Sequence, residues 1–429
     1  MTTGSRTNES NDRTVLGVSS IVLFDSTFKD KAVGLPTLHN GVWQKKLLRI
    51  LTMFKKSLAA VAVLGAFAGT ALAADVQLYG IVDYGFQYSE KDNGIDKATH
   101  TFEMKSGMNS ASRFGLKGVE DLGNGYKVGF VLENGFNADD GTLNSDGRLF
   151  DREALLFVDG AWGQVGFGRV GQLASGNGTY GLFGGSVSPF STGWGGVLGH
   201  KAVMAGEFGR LDNTVVYKSP KFAGVNVLAQ YSFKKDNKSD KYIDSAREGS
   251  AEVDREYALG ATFGAGNLNL VGVVTKTNVA SASTDKYDSK DPLTVSFGGN
   301  YDFGVAKLFV ATQYFKDSAL NVEALQNTKT TKHQGVTFDG YGLQVGVNVP
   351  VFGGNAKAAL GYMDGEDQTD AKKDMSRVNF SVGYDYPLSK RTFIYTGAGY
   401  MQDDYDVKVN GADDSAHTWA VNAGLVHKF

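Results

Sequence analysis

The chain has 429 residues, with Gly 56, Phe 27 and Tyr 19 against Pro 6 and Cys 0, and its formal net charge is −3. Length alone allows two or three soluble domains, but this composition is typical of strands and turns rich in aromatic residues. The lack of cysteine excludes a disulfide framework and a thiolate metal site.

A targeting segment begins inside the chain, at Met53. Lys55 and Lys56 form a short basic start, residues 58–68 form an apolar run, and small residues follow at Ala71 and Ala73. This order is typical of a secretory signal peptide, and the apolar run is too short for a membrane-spanning helix. We therefore predict a signal peptide over residues 53–73, and we interpret residues 1–52 as an upstream extension that is not native.

The predicted mature part, residues 74–429, is acidic. Nine of the 43 basic and four of the 46 acidic residues precede Ala74, so the mature part carries a net charge of −8. A nucleic-acid partner is excluded because it requires a clustered basic face. Net charge does not predict the selectivity of a channel, since the field in a channel depends on the charges that line it.

Strands are predicted along the whole of the mature part. Residues 76–88, 341–349 and 377–386 alternate apolar with polar or glycine positions, and no long segment shows the 3.6-residue period of a helix. A two-residue period indicates strands with one apolar face. The sequence therefore predicts an all-β fold.

The connections between these strands alternate between short and long. Seven tight turns are predicted at Asp121–Gly125, Asp159–Gly163, Ser219–Lys221, Gly264–Asn267, Phe303–Val305, Pro350–Asn355 and Pro387–Lys390. Eight long polar loops are predicted at Glu90–Ser110, Ala138–Leu149, Gly171–Leu211, Lys234–Arg255, Asn278–Asp291, Asp317–Gly335, Asp364–Met375 and Gln402–Ala416. Together they connect 16 antiparallel strands, and an even number lets the last strand pair with the first.

This asymmetry is typical of a transmembrane β-barrel of the bacterial outer membrane, with short periplasmic turns, long outer loops and strands that are apolar outside. Closure satisfies the backbone polar groups in lipid and removes exposed edges. A soluble all-β protein would show the same alternation. The secretory signal and the aromatic residues near strand ends favour the membrane barrel.

Alternation along each strand also predicts which charged residues face water inside the barrel. A charge facing lipid would cost about 2–4 kcal/mol at the bilayer midplane. The basic residues on the inward positions are Arg113, Lys117, Arg210, Lys218 and Arg377, and the acidic ones are Asp83, Glu133, Glu256 and Asp385. We predict that these residues line the channel.

Several ordered segments resemble the trimeric general porins of Gram-negative bacteria, particularly the branch of the β-proteobacteria and Neisseria. The resemblance covers nearly all of residues 74–429, including the terminal Phe429. The other segments that carry it are DVQLYGIVD at 75–83, SRFGLKGVEDLG at 112–123, FGR at 167–169, NTVVYKSP at 213–220 and LSKRT at 388–392.

The resemblance implies a homotrimer of separate pores in the outer membrane, each narrowed by an inward-folded third loop, here Gly171–Leu211. Arg152 and Arg169 match family positions that form a basic ladder on the wall. Arg169 has the outward parity of Phe167, so its role requires a β-bulge or a place beyond the strand end. Phe429 is similar to the terminal signal that such proteins present to the outer-membrane assembly machinery.

The third loop departs from the family pattern. From Gly171 to Gly206 it contains no Asp or Glu, and Lys201 is its one full charge. In many relatives the acidic partner across the constriction comes from this loop. A basic wall that faces a neutral loop predicts a modest preference for anions.

We therefore predict a general diffusion channel for small hydrophilic solutes and ions, without cofactor or metal, in contact with outer-membrane lipid and lipopolysaccharide. A channel specific for sugar or phosphate remains an alternative, in which Tyr180, Phe183 and Trp194 of the third loop would form an aromatic track. A surface adhesin or receptor is a third possibility. An enzyme is not expected, because the six histidines form no zinc pair and no nucleophile with a base in reach is evident.

Overall fold

The computed structural model describes residues 76–92, 94, 97–194, 196–206, 208–237, 247–280, 290–320, 337–368, 374–406 and 415–429. The predicted signal peptide and the upstream extension lie outside these residues. In the described ranges, no helix is long and apolar enough to span a membrane.

The described residues form seventeen strand segments and one short 3₁₀ helix, His200–Val203. In chain order the segments are β1 (Gln77–Asp92), β2 (Thr99–Ser106), β3 (Arg113–Gly123), β4 (Tyr126–Gly135), β5 (Glu153–Gly160), β6 (Gly163–Gly171), β7 (Arg210–Lys218), β8 (Val225–Ser232), β9 (Arg255–Ala265), β10 (Leu268–Asn278), β11 (Leu293–Asp302), β12 (Lys307–Ser318), β13 (Phe338–Val351), β14 (Gly354–Asp367), β15 (Met375–Pro387), β16 (Thr392–Tyr405) and β17 (Ser415–Lys428).

These segments close into one antiparallel barrel. From β3 to β17 each strand pairs with the next, and β17 pairs with β1. The C-terminal part of β1 pairs with β2, beginning at Tyr84↔Ser106. The N-terminal part of β1 pairs with β3, ending at Ile81↔Arg113. Because β2 and β3 are two parts of one barrel strand, interrupted at residues 107–112, the predicted 16-stranded barrel is confirmed.

Alternation along the strands separates an outer from an inner face. In β13, Tyr341 and Leu343 are exposed, whereas Gly342 and Gln344, which alternate with them, are buried. The same alternation runs through β15 and β17. The exposed face is the apolar one, as in a barrel whose outer surface meets lipid.

The predicted tight turns all fall between consecutive strands, but the first long loop is shorter than predicted. β1 continues to Asp92 and β2 begins at Thr99, so most of Glu90–Ser110 belongs to a hairpin. Phe102 and Met104 alternate with polar residues and extend the outer apolar face, and the Phe102 ring stacks on Phe86 at 5.9 Å. The prediction of a long loop was wrong here because the polar residues that alternate with Phe102 and Met104 belong to the inner face of a strand.

The end of the chain completes the barrel. The amide of Phe429 donates to the Gly80 carbonyl, and the Gly80 amide donates to the Phe429 carbonyl, both at 3.0 Å. A Cβ atom at position 80 would lie 2.2 Å from the ring of Phe429. Glycine therefore lets the last aromatic ring pack closely against the first strand.

Candidate functional site

The third loop, residues 172–209 between β6 and β7, folds into the barrel. Its apolar side chains are almost fully buried, with Phe183 and Phe190 at 0 % exposure and Tyr180 at 1 %. A buried phenylalanine contributes about 1.5–3 kcal/mol. The loop is thus held inside the barrel by its own apolar residues, as the resemblance implied.

Polar contacts fix the loop to β11, β12 and β15. The Ala205 amide donates to Gln313 Oε1 on β12 at 2.7 Å, and Asn379 Nδ2 on β15 donates to the Val197 carbonyl at 2.8 Å. Asn300 Nδ2 on β11 donates to a further loop carbonyl at 2.7 Å. These bonds satisfy loop backbone groups that would otherwise be buried without partners.

Glycines on the inner face let the loop approach the wall. A Cβ atom at Gly342 would lie 1.8 Å from the Val203 carbonyl oxygen, and one at Gly346 would lie 2.6 Å from Pro189. Cβ atoms at Gly383 and Gly397 would meet side chains of the loop at 2.9 Å. The inner face of β13 to β16 is therefore shaped to receive the loop backbone.

The loop residues left exposed are small and uncharged. In its described part, which omits positions 195 and 207, the exposed residues are Gly176, Gly178, Thr179, Gly185, Ser191 and Gly196. The charged Lys201 is partly buried, with its ammonium 5.7 Å from the centre of the Phe208 ring. The surface that this part of the loop presents to water is accordingly close to neutral.

A basic cluster on β3 to β5 surrounds the carboxylate of Glu133. Arg152 Nε donates to Glu133 Oε1 at 2.6 Å, and Arg113 Nη1 lies 3.8 Å from the same oxygen. The Tyr79 hydroxyl donates to Glu133 Oε2 at 3.0 Å. Three of the predicted lining residues, Arg113, Arg152 and Glu133, are therefore brought together.

Arg169 joins this region through a β-bulge. The pairing of β6 with β7 shifts register between Gly168 and Val170, which resolves the conflict between the parity of Arg169 and its expected role. Arg169 Nη1 donates to Asp212 Oδ1 at 2.5 Å and Nε donates to the Asp151 carbonyl at 2.6 Å. The side chain therefore lies at the barrel wall beside the base of the third loop.

Arg210, at the start of β7, completes the cluster. Its charge interacts with those of Arg152 and Arg169, and its Nε and Nη2 have no hydrogen-bond partner among the described residues. Lys117 and Lys218 are exposed on the same wall, nearer the short turns. The ammonium of Lys117 lies 5.3 Å from the centre of the Tyr79 ring.

Cations and anions of this wall differ in how far they reach into water. The side chains of Arg113 and Arg169 are 22 % and 20 % exposed, whereas their partners Glu133 and Asp212 are 9 % and 8 % exposed. The carboxylates thus lie behind the guanidinium groups. A solute in the barrel would meet positive charge first.

Two other predicted lining residues are covered. Arg377, at 0 % exposure, forms a bidentate ion pair with Asp403 and donates from Nη1 to the Ala202 carbonyl of the third loop at 2.9 Å. The Asp83 carboxylate, also at 0 %, accepts from the Asn109 amide at 2.8 Å and from the Tyr395 hydroxyl at 2.8 Å. Both point inward, but they anchor inward-folded segments instead of facing the open lumen.

The aromatic residues considered for a sugar track are buried as well. Tyr180, Phe183 and Trp194 are at most 3 % exposed, and Trp194 packs edge-on against Tyr395 of β16 at 5.4 Å. His200 lies between the rings of Phe183 and Phe208, at 5.7 and 6.0 Å. Burial lowers the pKa of His200 to about 3, so this residue is neutral at physiological pH.

Several residues of the site were not found from the sequence. Arg148 of the second loop binds Asp212 with two hydrogen bonds of 2.8 Å and also contacts Asp236. Glu153 accepts the Thr179 amide of the third loop at 2.9 Å. Arg148 lies in a predicted loop. The alternation that shows which way a strand residue points does not apply in a loop, so the sequence could not identify Arg148 as a residue of the site. In the described residues, no group of three or more His, Cys, Asp or Glu side chains is placed to hold a metal.

Comparison with known proteins places these features in context. Residues 59–406 match the profile of the family described as Gram-negative porin. An outer membrane porin protein of Bordetella pertussis is 31 % identical over 399 residues, covering 87 % of this chain and all of the relative. Outer membrane porin protein 32 of Delftia acidovorans is 32 % identical, covering 81 % of this chain and 90 % of the relative.

Among solved structures, the anion-selective porin from Comamonas acidovorans has a similar fold. Its TM-score is 0.58 at 24 % sequence identity, and the match covers 83 % of this chain and all of that chain. The fold likeness agrees with the sequence relatives, which are themselves outer-membrane proteins.

Proposed function

The chain belongs to the Gram-negative porin family and is a multi-pass β-barrel of the outer membrane, and from this premise we propose that it conducts anions better than cations. Its general role is the diffusion of small hydrophilic solutes and ions through a water-filled channel. We further propose that residues 53–73 are its signal peptide and that it catalyses no reaction.

The anion preference rests on one observation, the unequal exposure of charge at the wall. Arg113 and Arg169 are more exposed than Glu133 and Asp212, and the exposed residues of the third loop that the structure describes, which omit positions 195 and 207, include no acid. Selectivity of a channel follows the charges at its narrow zone. Because carboxylates lie near all of these guanidinium groups, the preference is modest.

We assign the lining to the predicted residues that remain accessible, namely Arg113, Lys117, Arg169, Arg210 and Lys218. Arg152 and Glu133 act on the lumen by positioning Arg113. Burial of the third-loop aromatics speaks against a sugar track, so general diffusion is the better supported function. The Comamonas porin is described as anion-selective, and the same preference is our proposal for this chain.

A homotrimer is part of the proposal. The outer face of β15, β16, β17, β1 and β2 forms an apolar groove lined by Tyr84, Phe86, Met104, Tyr384, Ile394 and Leu425. Small residues, Thr396 and Ala423, lie in the groove and allow close approach of another copy. Cross-linking of native membranes, with a Thr396→Trp variant to block the groove, tests this assembly.

Solute flux tests the channel itself. Proteoliposomes that contain the protein should swell in solutions of small sugars at rates that fall as the size of the sugar increases. Of an organic anion and an organic cation of similar size, the anion should enter faster. A folded, heat-modifiable barrel that admits no sugar would overturn the diffusion role. Equal entry of both ions would leave a pore but contradict its charge preference.

A further inference from the structure

Residues 107–112 leave the sheet between β2 and β3. From Tyr84 to Ile81, β1 advances by three residues, whereas its partner advances by seven, from Ser106 to Arg113. The partner strand is therefore four residues longer over this stretch, and the extra residues cannot all remain in the ladder. We call residues 107–112 the inward bulge.

The inward bulge is bound to the inner side of the wall by Asp83. This side chain points inward from β1, and its Oδ2 accepts the amides of Asn109 and Ser110 at 2.8 and 2.7 Å. The Gly107 amide donates to the Asp83 carbonyl at 3.0 Å, and the Asp83 amide donates to Ser112 Oγ at 3.1 Å. One residue of the wall thus fixes both ends and the middle of the bulge.

The inward bulge packs into the same core as the third loop. Met108 is buried in the apolar cluster that contains Trp194 and Leu198 of the loop. Tyr395, whose ring lies 5.4 Å from that of Trp194, donates its hydroxyl to Asp83 at 2.8 Å. The bulge therefore continues the inward-folded layer from the end of the third loop toward β3.

The tip of the inward bulge stays accessible to water. Asn109, Ser110 and Ala111 are partly exposed, whereas Met108 and Ser112 on either side of them are buried. Ser110 Oγ donates to Asn109 Oδ1 at 2.8 Å. The surface that the tip presents inside the barrel is accordingly polar and uncharged.

The inward bulge also holds Arg113. Arg113 Nε donates to the Ala111 carbonyl at 2.8 Å. Nη1 of the same guanidinium lies 3.8 Å from Glu133 Oε1, an oxygen that Arg152 Nε approaches to 2.6 Å. Because the Ala111 carbonyl carries no net charge, this bond fixes the direction of Arg113 without neutralising it.

We propose that the inward bulge is a second constricting element of the channel and that it positions Arg113. The tip at Asn109 and Ser110 borders the narrow zone beside the third loop. The Ala111 carbonyl keeps Arg113 from closing on Glu133, so that its charge faces passing ions. The constricting role stands on geometry alone, whereas the positioning role rests on the anion preference proposed above.

Cysteine accessibility tests whether the inward bulge borders the channel. The chain contains no cysteine, so the thiol of Asn109→Cys is the only one in the protein. An anionic and a cationic methanethiosulfonate reagent should each cause a stepwise loss of single-channel current. The anionic adduct should also lower the anion preference, and the cationic adduct should raise it.

The matched control for accessibility is Ala251→Cys, at an exposed position in the loop between β8 and β9. Modification of this thiol should leave the current unchanged. If the thiol of Asn109→Cys does not react, or reacts without loss of current, the bulge is not a constricting element. This result does not depend on the ion preference of the native channel, so it is distinguishable from failure of the proposed function.

Two substitutions of Asp83 test the positioning of Arg113. Asp83→Ala removes the acceptor of two bulge amides, so Arg113 should close on Glu133, the anion preference should fall and the conductance should rise. Asp83→Asn keeps an oxygen for these amides, and its own amide can donate to the Tyr395 hydroxyl. It should therefore retain the native anion preference. Loss of negative charge alone would raise the anion preference in both variants, and that result would overturn the positioning role.

The matched control for these substitutions is Gln87→Ala, which changes another buried inward residue of β1 and should leave both readings unchanged. Arg113→Lys tests the same role if Asp83→Ala does not fold. Lysine has one nitrogen for the contacts that arginine divides between Nε and its two terminal nitrogens. The anion preference should fall nearly as far as in Arg113→Ser, and a native preference in Arg113→Lys would refute the positioning role.

Discussion

The two halves of the inner wall use inward-facing residues differently. On β3 to β7 Arg113, Arg169 and Arg210 remain partly exposed, whereas on β13 to β16 inward glycines and the buried Arg377 receive the third loop. The same alternation directs side chains inward on both halves. The comparison shows that direction and accessibility are separate properties, and that the third loop determines which inward residues meet solute.

The largest expected effect is loss of the buried ion pair beneath the loop. Arg377→Met leaves Asp403 without its cation at 0 % exposure, and breaking a buried pair costs about 3–5 kcal/mol. We expect a lower thermal midpoint of the heat-modifiable barrel and larger current noise as the loop loosens. Lys117→Met, on the open half, is the control and should leave both unchanged. Equal stability of the two variants would show that Arg377 does not anchor the loop.

A smaller effect is expected from filling the wall beneath the loop. Gly342→Ala places a methyl group where the Val203 carbonyl now lies, and overpacking of this kind costs about 1–3 kcal/mol. The loop should shift inward or detach, which changes single-channel conductance. Gly272→Ala is the control, because its nearest neighbouring atom would be 3.7 Å away. Unchanged conductance in Gly342→Ala would show that the position of the loop does not determine the width of the channel.

The smallest effect concerns pH. Burial lowers the pKa of His200 from 6.5 to about 3, so between these values the detached loop takes up a proton that the docked loop excludes. Docking therefore weakens as pH falls, by about 1.4 kcal/mol per unit. Current noise of the native channel should rise below about pH 6, and His200→Leu should abolish the rise. The rise should persist in His427→Gln; its persistence in His200→Leu would exclude His200 as the cause.

Much of the fold followed from local patterns. A two-residue period and the alternation of short with long connections are properties of neighbouring residues, so the 16 strands and their closure could be predicted. The β-bulge next to Arg169 could also be anticipated from the sequence, because the position of Arg169 in the alternation disagrees with its expected role at the wall.

Local patterns could not predict which inward-facing residues are covered by other segments of the chain. Whether Arg377 or Asp83 meets water depends on where residues 172–209 and 107–112 fold, and alternation along a strand carries no information about a segment that packs on it. The inner positions Val216, Leu228 and Val271 are apolar for the same reason. Glycines at inward positions such as Gly342 were the available signal, because glycine permits a close backbone approach.

Reversal potential in a planar bilayer under a salt gradient tests the central claim most directly. The native channel should give a potential that favours anions, and Arg113→Ser and Lys117→Ser should each reduce it, because both remove accessible charge from the wall. Arg377→Lys, which keeps a charge beneath the loop, should leave it unchanged. A native potential that favours cations, or one insensitive to Arg113 and Lys117, would contradict the account of an accessible basic wall that faces a neutral loop.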